Sequence, residues 1–209
     1  MDSMGKSGKT APTPLPRPET GETATLRHAL AARRSVRSYS QDPLQKQQLS
    51  ELLFAAQGTT HPQGYRTAPS AGALYPLEIL VAASRVRGVE SGVHQYLPRE
   101  HALSQREPGD KRQELYEAGL NQFSILEAPA CIVISAVFER MAEKYGNRAP
   151  QYVYVEAGCA AQNIALQCTV LSLGTVVIGA FYEDRVGRAL GSPKQETPVL
   201  IMPVGQLKV

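Results

Sequence analysis

The sequence predicts an α+β or α/β domain built on a mixed sheet, with helices between its strands. Three observations carry that expectation. The predominantly apolar runs LEILVAAS, CIVISAVF, TVVIGAFY and PVLIMPVG read as strands buried on both faces. The stretches between them repeat apolar residues at helical spacing. A chain of 209 residues, 43% of them hydrophobic, is long enough to bury one core.

In chain order, residues 1–22 contain APTPLPRPETGET and are rich in Pro, Gly and Thr. They are expected to form a flexible or extended arm, leaving 23–209 as the folded domain. TLRHALAARR places Leu26, Ala29 and Leu30 on one helical face, and LQKQQLSELLFAAQG repeats the spacing at Leu49, Leu52, Leu53 and Ala56 before Gly58 stops it. HQYLPREHALSQ has the pattern of an edge hairpin. From about Gln151 to Leu173 the chain is helical and apolar on nearly all sides. Val153, Ala157, Ala160, Ile164, Cys168 and Leu171 form one stripe, and Val155, Cys159, Leu166 and Val170 another. The small residues Ala157, Gly158, Ala160 and Ala161 would let a second helix approach closely, so the pattern fits either the centre of a dimer or the core of a monomer.

Composition removes several function classes. The 22 basic and 19 acidic residues leave a net charge of +3, too balanced for a nucleic-acid surface. Cys131, Cys159 and Cys168 are odd in number and lack metal-ligand spacing, so no metal site is expected and a reducing cytoplasm fits best. The N-terminus lacks the pattern of a signal peptide. SMGKSGKT imitates a phosphate-binding loop, but Ser3 stands where that motif needs glycine. The uncharged run from Ala157 to Tyr182 contains Gln162, Asn163 and Gln167 and breaks at Gly174, so a buried helix followed by a strand is expected rather than a membrane span.

Two stretches remain that carry chemistry. RRSVRSY places Arg33, Arg34 and Arg37 at a helix exit. Cations there favour the helix dipole, but three exceed what capping needs, and arginine forks suit a phosphate. YRTAPSAGALYPLE brackets small residues between Pro69 and Pro76. It reads either as an ordinary tight loop or as backbone brought close to a flat ligand.

Taken together, RRSVRSYS, LLFAAQG, YRTAPSAGALYPLE, EKYGNRAPQYVYVEAGCAAQN, LSLGTVVIGAFYED and MPVG resemble, in order from about residue 26 to the end, the nitroreductase superfamily and its SagB-type dehydrogenase branch. The resemblance implies an α+β fold with a central mixed sheet, an intertwined homodimer, and FMN held non-covalently at the subunit interface. It implies phosphate and ribityl contacts from Arg33 and Ser35 and places Arg37 near the pyrimidine side of the ring. There a fixed guanidinium stabilises the charge of reduced flavin. Because this chain has only Lys208 after its last strand, phosphate binding is expected to rest more on Arg33 and Arg34. Pro69, Ser70 and Ala71 would reach across from the other subunit. The amides of Gly179 or Ala180 would face the flavin N5, and Asn121 or Gln122 would touch its polar edge.

This chain departs from the resemblance in two places: Lys208 is the sole cation after the last strand, and Cys159 stands where relatives often have histidine, so Cys159 reads as core. The adjacent Lys144 and Tyr145 resemble a pair given a catalytic role in azoline oxidases. Tyr145 is the expected general base, because neighbouring helical residues point about 100° apart and only one should face the flavin. The implied activity is dehydrogenation of an azoline-like small molecule or peptide. The alternatives are NAD(P)H-dependent reduction of nitro compounds or quinones, and flavin binding without turnover.

Overall fold

The computed structural model describes residues 11–18 and 25–208. Its elements are β1 (Thr13–Pro14), α1 (Leu26–Ala32), β2 (Leu44–Gln45), α2 (Lys46–Gln57), β3 (Leu77–Ala83), β4 (Val86–Arg87), β5 (Gly92–Leu97), β6 (Ala102–Pro108), α3 (Arg112–Ala118), α4 (Ser124–Glu127), β7 (Ala130–Ala136), α5 (Phe138–Tyr145), α6 (Ala149–Val170), β8 (Leu173–Thr175), α7 (Glu183–Ala189) and β9 (Thr197–Gln206). Short 3-10 turns lie at Ala71–Ala73 and Gly146–Arg148.

Seven strands form the main sheet in the order β1-β6-β5-β3-β7-β9-β8. Every strand pair in it is antiparallel, which corrects the expectation of a mixed sheet. Among the described residues, parallel pairing is confined to β2 with β4 and to an isolated bridge between Ser35 and Thr175. The class remains α+β. In the centre, Leu80, Val133 and Ile201 stand in register, so alternation sends them to one face and Ile79, Ile134 and Met202 to the other. The second face is covered by α2 and α6 through Leu49, Leu52, Leu53, Ala157, Ala160 and Ile164. The first is covered by Leu115, Ile125, Val186 and Leu190 of the α3, α4 and α7 regions.

Three expectations change in detail. TVVIGAFY is not a continuous strand: β8 ends at Thr175, and Ile178 makes an isolated bridge to Ile201. Between them the ladder meets Pro203, which has no N–H to donate and whose carbonyl faces the Tyr39 hydroxyl. In α1 only Ala29 is buried, while Leu26 and Leu30 are 67% and 55% exposed. In α6 the stripe from Val153 to Cys168 is buried, and Ala161 packs inside the subunit's own core. Tyr154 and Val155 are exposed instead, and a side chain at Gly158 would meet only open space. Among the described residues no helix is long and apolar enough to cross a membrane.

The described part of the N-terminal segment is docked. Thr13 and Pro14 pair with Leu103 and Ala102, Leu15 enters the core, and Gln47 Nε2 donates to the Arg17 carbonyl at 3.0 Å. His101 holds the Pro16 carbonyl through Nε2 at 2.9 Å and faces the Tyr96 hydroxyl through Nδ1 at 2.8 Å. Residues 1–10, with SMGKSGKT, and 19–24 lie outside the described residues.

His94, only 4% exposed, donates from Nε2 to the Glu90 carbonyl at 2.8 Å. Burial lowers its pKa below the ordinary imidazole value, against the opposing hydrogen bond and charge of Glu90. Burial lowers that of His101 as well. The unfolded chain therefore binds protons first, and the stability these residues confer is complete above about pH 6.5 and is lost as pH falls through the lower folded-state values. Urea unfolding of wild type and His94→Gln should show the wild-type advantage shrinking between pH 7.5 and 5.5. A pH-independent difference would exclude this account.

Candidate functional site

Tyr39 fixes the arginine segment. Its ring is fully buried, its hydroxyl lies 2.7 Å from the Val36 carbonyl and 3.1 Å from that of Pro203, and burial raises its pKa well above the phenol range. The ring lies against Gly205, where a Cβ would come within 2.8 Å of Tyr39 Cβ and Cγ. Upstream, the Val36 amide donates to the Thr175 carbonyl at 2.8 Å. The extended backbone through this bridge alternates its side chains, so Arg33, Ser35 and Arg37 share one side and Arg34 and Val36 the other.

The two sides differ in how their donors are used. Arg34 and Val36 line a cavity of about 340 Å³ with His28, Ala165 and Cys168. Arg34 Nη1 turns back onto the carbonyls of Ala31 at 2.9 Å and Arg33 at 2.8 Å, capping α1. Lys208 Nζ is bound to Ser38 Oγ at 2.9 Å and paired with Glu127 at 3.0 Å. Among the described residues, the side chains of Arg33, Ser35 and Arg37 make no hydrogen bond or ion pair. Of the four cations expected at the cofactor, Arg34 and Lys208 are committed locally, and Arg33 and Arg37 present unengaged donors among the described residues.

The residues expected at the polar edge of the ligand are also brought together. Leu120 and Asn121 are left-handed, both at φ 57°, and the turn lets Gln122 Nε2 donate to the carbonyls of Gly119 at 3.0 Å and Ala180 at 3.1 Å. Gly179 and Ala180 are exposed, and among the described residues neither of their amides donates a hydrogen bond. The Asn121 side chain is exposed. α4 links this loop to the arginine segment: it starts just after Gln122 and ends at Glu127, whose Oε2 accepts from the Tyr39 amide at 3.1 Å.

The second group surrounds the turn after Pro69. Ser70 Oγ accepts from the Tyr75 amide at 2.9 Å, and between them Gly72 (φ 62°) and Ala73 (φ 55°) are left-handed, as is Tyr75 itself (φ 48°). For a residue with a Cβ that conformation costs on the order of 1–2 kcal/mol. A Cβ on Gly72 would lie 2.9 Å from both Lys144 Nζ and Tyr145 Oη. Both members of the pair therefore pack on this residue. The helix ends at Tyr145, and the long Lys144 side chain swings back over the Tyr145 ring with Nζ 5.6 Å from its centroid. Pro69 is exposed, and Ala71 is partly buried against the core.

Beneath the turn lie polar residues that sequence reasoning missed. Glu156, 1% exposed, accepts from Gln57 Nε2 at 3.2 Å; Gln57 Oε1 accepts from Arg66 Nη1 at 3.1 Å; and the Arg66 guanidinium stands 4.4 Å over the Tyr75 ring. Burial raises the Glu156 carboxyl above its usual range, opposed by the facing Ser70 hydroxyl, the Gln57 hydrogen bond and the Arg66 charge. The available signal was that Glu156 is the one charged residue in α6.

The two groups do not meet within one chain. The arginine segment reaches α6 at Cys168 and the turn reaches it at Glu156, twelve residues or about 18 Å along the helix axis.

With this geometry in hand, comparison with known proteins is specific. A family model described as "Nitroreductase family" matches residues 30–206. A protein of Methanocaldococcus jannaschii that carries a nitroreductase name is 44% identical over 185 residues, covering 88% of this chain and 92% of the relative. A solved Ralstonia eutropha structure described as a nitroreductase superposes with a TM-score of 0.84 at 29% identity, covering 99% of this chain and 93% of its own. A similarly described Anabaena variabilis structure gives 0.79 at 30% identity over 88% of this chain, which spans only 38% of that longer polypeptide.

Proposed function

Since the chain belongs to the nitroreductase family and is a flavin-type oxidoreductase, we propose that it is an FMN-dependent dehydrogenase of the SagB type, working as a homodimer on an azoline-like substrate. The observation that carries this reading is the set of unengaged donors, Arg33, Ser35 and Arg37 together with the amides of Gly179 and Ala180, at positions where the family motif implies flavin contacts. The residues present fit the cofactor. Two guanidinium forks suit a phosphate or an electron-rich ring edge, and two exposed amides suit a ring nitrogen. When bound, FMN supplies two-electron hydride chemistry.

The chain's own residues divide the remaining work. Arg33 and Ser35 bind and orient the phosphate end, and Arg37 faces developing negative charge. Tyr145, beside the Lys144 ammonium, takes the proton that the substrate must lose as hydride departs. A second copy supplies the missing proximity. Tyr154, Val155 and the open surface at Gly158 on α6, and Leu26 and Leu30 on α1, are exposed apolar positions that a second copy could cover, and a partner running antiparallel along α6 would bring its Ser70 turn to this chain's arginine segment. The nitroreductase name of the M. jannaschii relative favours a second reading, NAD(P)H-dependent reduction. Bleaching of the bound flavin on anaerobic addition of NADH or NADPH would select that reading.

Arg33→Ala should weaken FMN binding by roughly 10- to 100-fold, the scale of one charge-assisted hydrogen bond, whereas Arg34→Ala should retain it. Equal losses in a flavin titration would reject the division of labour. Gly158→Glu should yield monomer that has also lost FMN; flavin-loaded monomer in sedimentation would exclude a shared site. Tyr145→Phe should keep FMN yet slow oxidation of an accepted azoline on the order of 10²-fold, read as single-turnover flavin reduction. A wild-type rate would remove Tyr145 from the chemistry.

A further inference from the structure

The Glu156 carboxylate is left half-satisfied in an interior position. Oε1 accepts from Gln57, but Oε2, fully buried, has no partner that meets hydrogen-bond geometry, although the Ser70 hydroxyl faces the carboxyl. An unpaired buried carboxyl oxygen is costly and calls for a compensating role. Ser70 is the first residue of the strained turn, and its Oγ receives the amide of Tyr75, the last. The far end is held from the same network, because Arg66, bonded to Gln57, stacks on Tyr75. Three left-handed residues between or at those two anchors are therefore tied at both ends to one buried network, beside the bonds from Arg140 Nη1 to the Tyr75 carbonyl at 3.2 Å and from the Ala73 amide to the Ser70 carbonyl at 3.0 Å, and Gly72 at their centre carries Lys144 Nζ and Tyr145 Oη against its backbone.

We propose that Glu156 is a positioning residue which, acting through Ser70, locks the 70–75 turn and so places the Lys144–Tyr145 pair. This rests on the assignment of that pair to the chemistry, but its physical content is independent of flavin. A neutral carboxylic acid fits the site: Oε1 accepts from Gln57 while the Oε2 proton points at Ser70 Oγ, which still accepts from Tyr75 with its second lone pair. Glutamine reproduces that arrangement and alanine does not.

The test uses the full-length chain as purified, with its FMN content measured in every variant. Hydrogen exchange reports the Tyr75 amide, and trinitrobenzenesulfonate labelling, read by peptide mass spectrometry with Lys111 and Lys194 as internal references, reports Lys144. Glu156→Ala and Ser70→Ala should speed exchange at Tyr75 about tenfold or more and raise Lys144 labelling about threefold relative to the references, and Glu156→Gln should restore both to wild type. Ser70→Ala, at a partly exposed position, decides the matter should the interior alanine variant fail to fold. Unchanged Tyr75 exchange and Lys144 labelling in folded Ser70→Ala would overturn the proposal, as would a Glu156→Gln variant as perturbed as the alanine. Wild-type protein that carries and binds no FMN would instead count against the flavin site, a separate failure that leaves the Tyr75 and Lys144 readouts in force.

Discussion

The close approach of α2 and the sheet to α6 is the constraint on which the rest depends. Ala157, Ala160, Ala161 and Ala165 have almost no side chain, so the leucines of α2 reach the helix axis and Ile132, Ile134 and Met202 close the layer from the sheet. Any larger residue on that stripe would force neighbours off their rotamers, at a typical cost of about 1–3 kcal/mol. The helix thus becomes a rigid strut, and both candidate groups hang from it: the arginine segment beside Cys168 and the strained turn over Glu156. Their separation follows from helical rise alone, and it is why the two groups do not meet within a single chain.

The same sheet determines which arginines are usable. Pro203 leaves a gap in the β8–β9 ladder that the Tyr39 hydroxyl fills, with the Tyr39 ring lying against the bare backbone of Gly205, and this pins RRSVRSY in an extended form. Extension sorts the side chains by parity. Arg34 falls on the α1 side and satisfies helix carbonyls, while Arg33 and Arg37 point away with their donors unengaged among the described residues. Guanidinium keeps its charge at any ordinary pH, so the difference between the two sides is one of geometry rather than ionisation.

Strain and buried polarity are coupled at the other end. Left-handed Ala73 and Tyr75 together cost a few kcal/mol, and each hydrogen bond of the Glu156–Gln57–Arg66 network returns about 1 kcal/mol. The turn persists because several such contacts act on its two ends at once. A surface loop without that support would relax, and Gly72 would no longer be held under Lys144 and Tyr145.

Local pattern alone determined the α+β class, the buried strands at 77–83, 130–136 and 197–206, the spacing of α2 and α6, and the blocks that mark the family, because alternation, helical period and turn chemistry act over a few residues. The antiparallel sheet was not legible, since strand direction is set by which strands become neighbours. Nor was the exposure of Leu26 and Leu30: helical spacing shows that residues share a face but not whether anything covers it. Only the tertiary structure separated Arg34 from Arg33 and Arg37, because parity counts from the Ser35–Thr175 bridge, a pairing across 140 residues. The role of Glu156 was hidden for the same reason. In sequence it is one acid in an apolar helix, and its meaning comes from Gln57, Ser70 and Arg66, which the chain brings to it from 86 to 99 positions away.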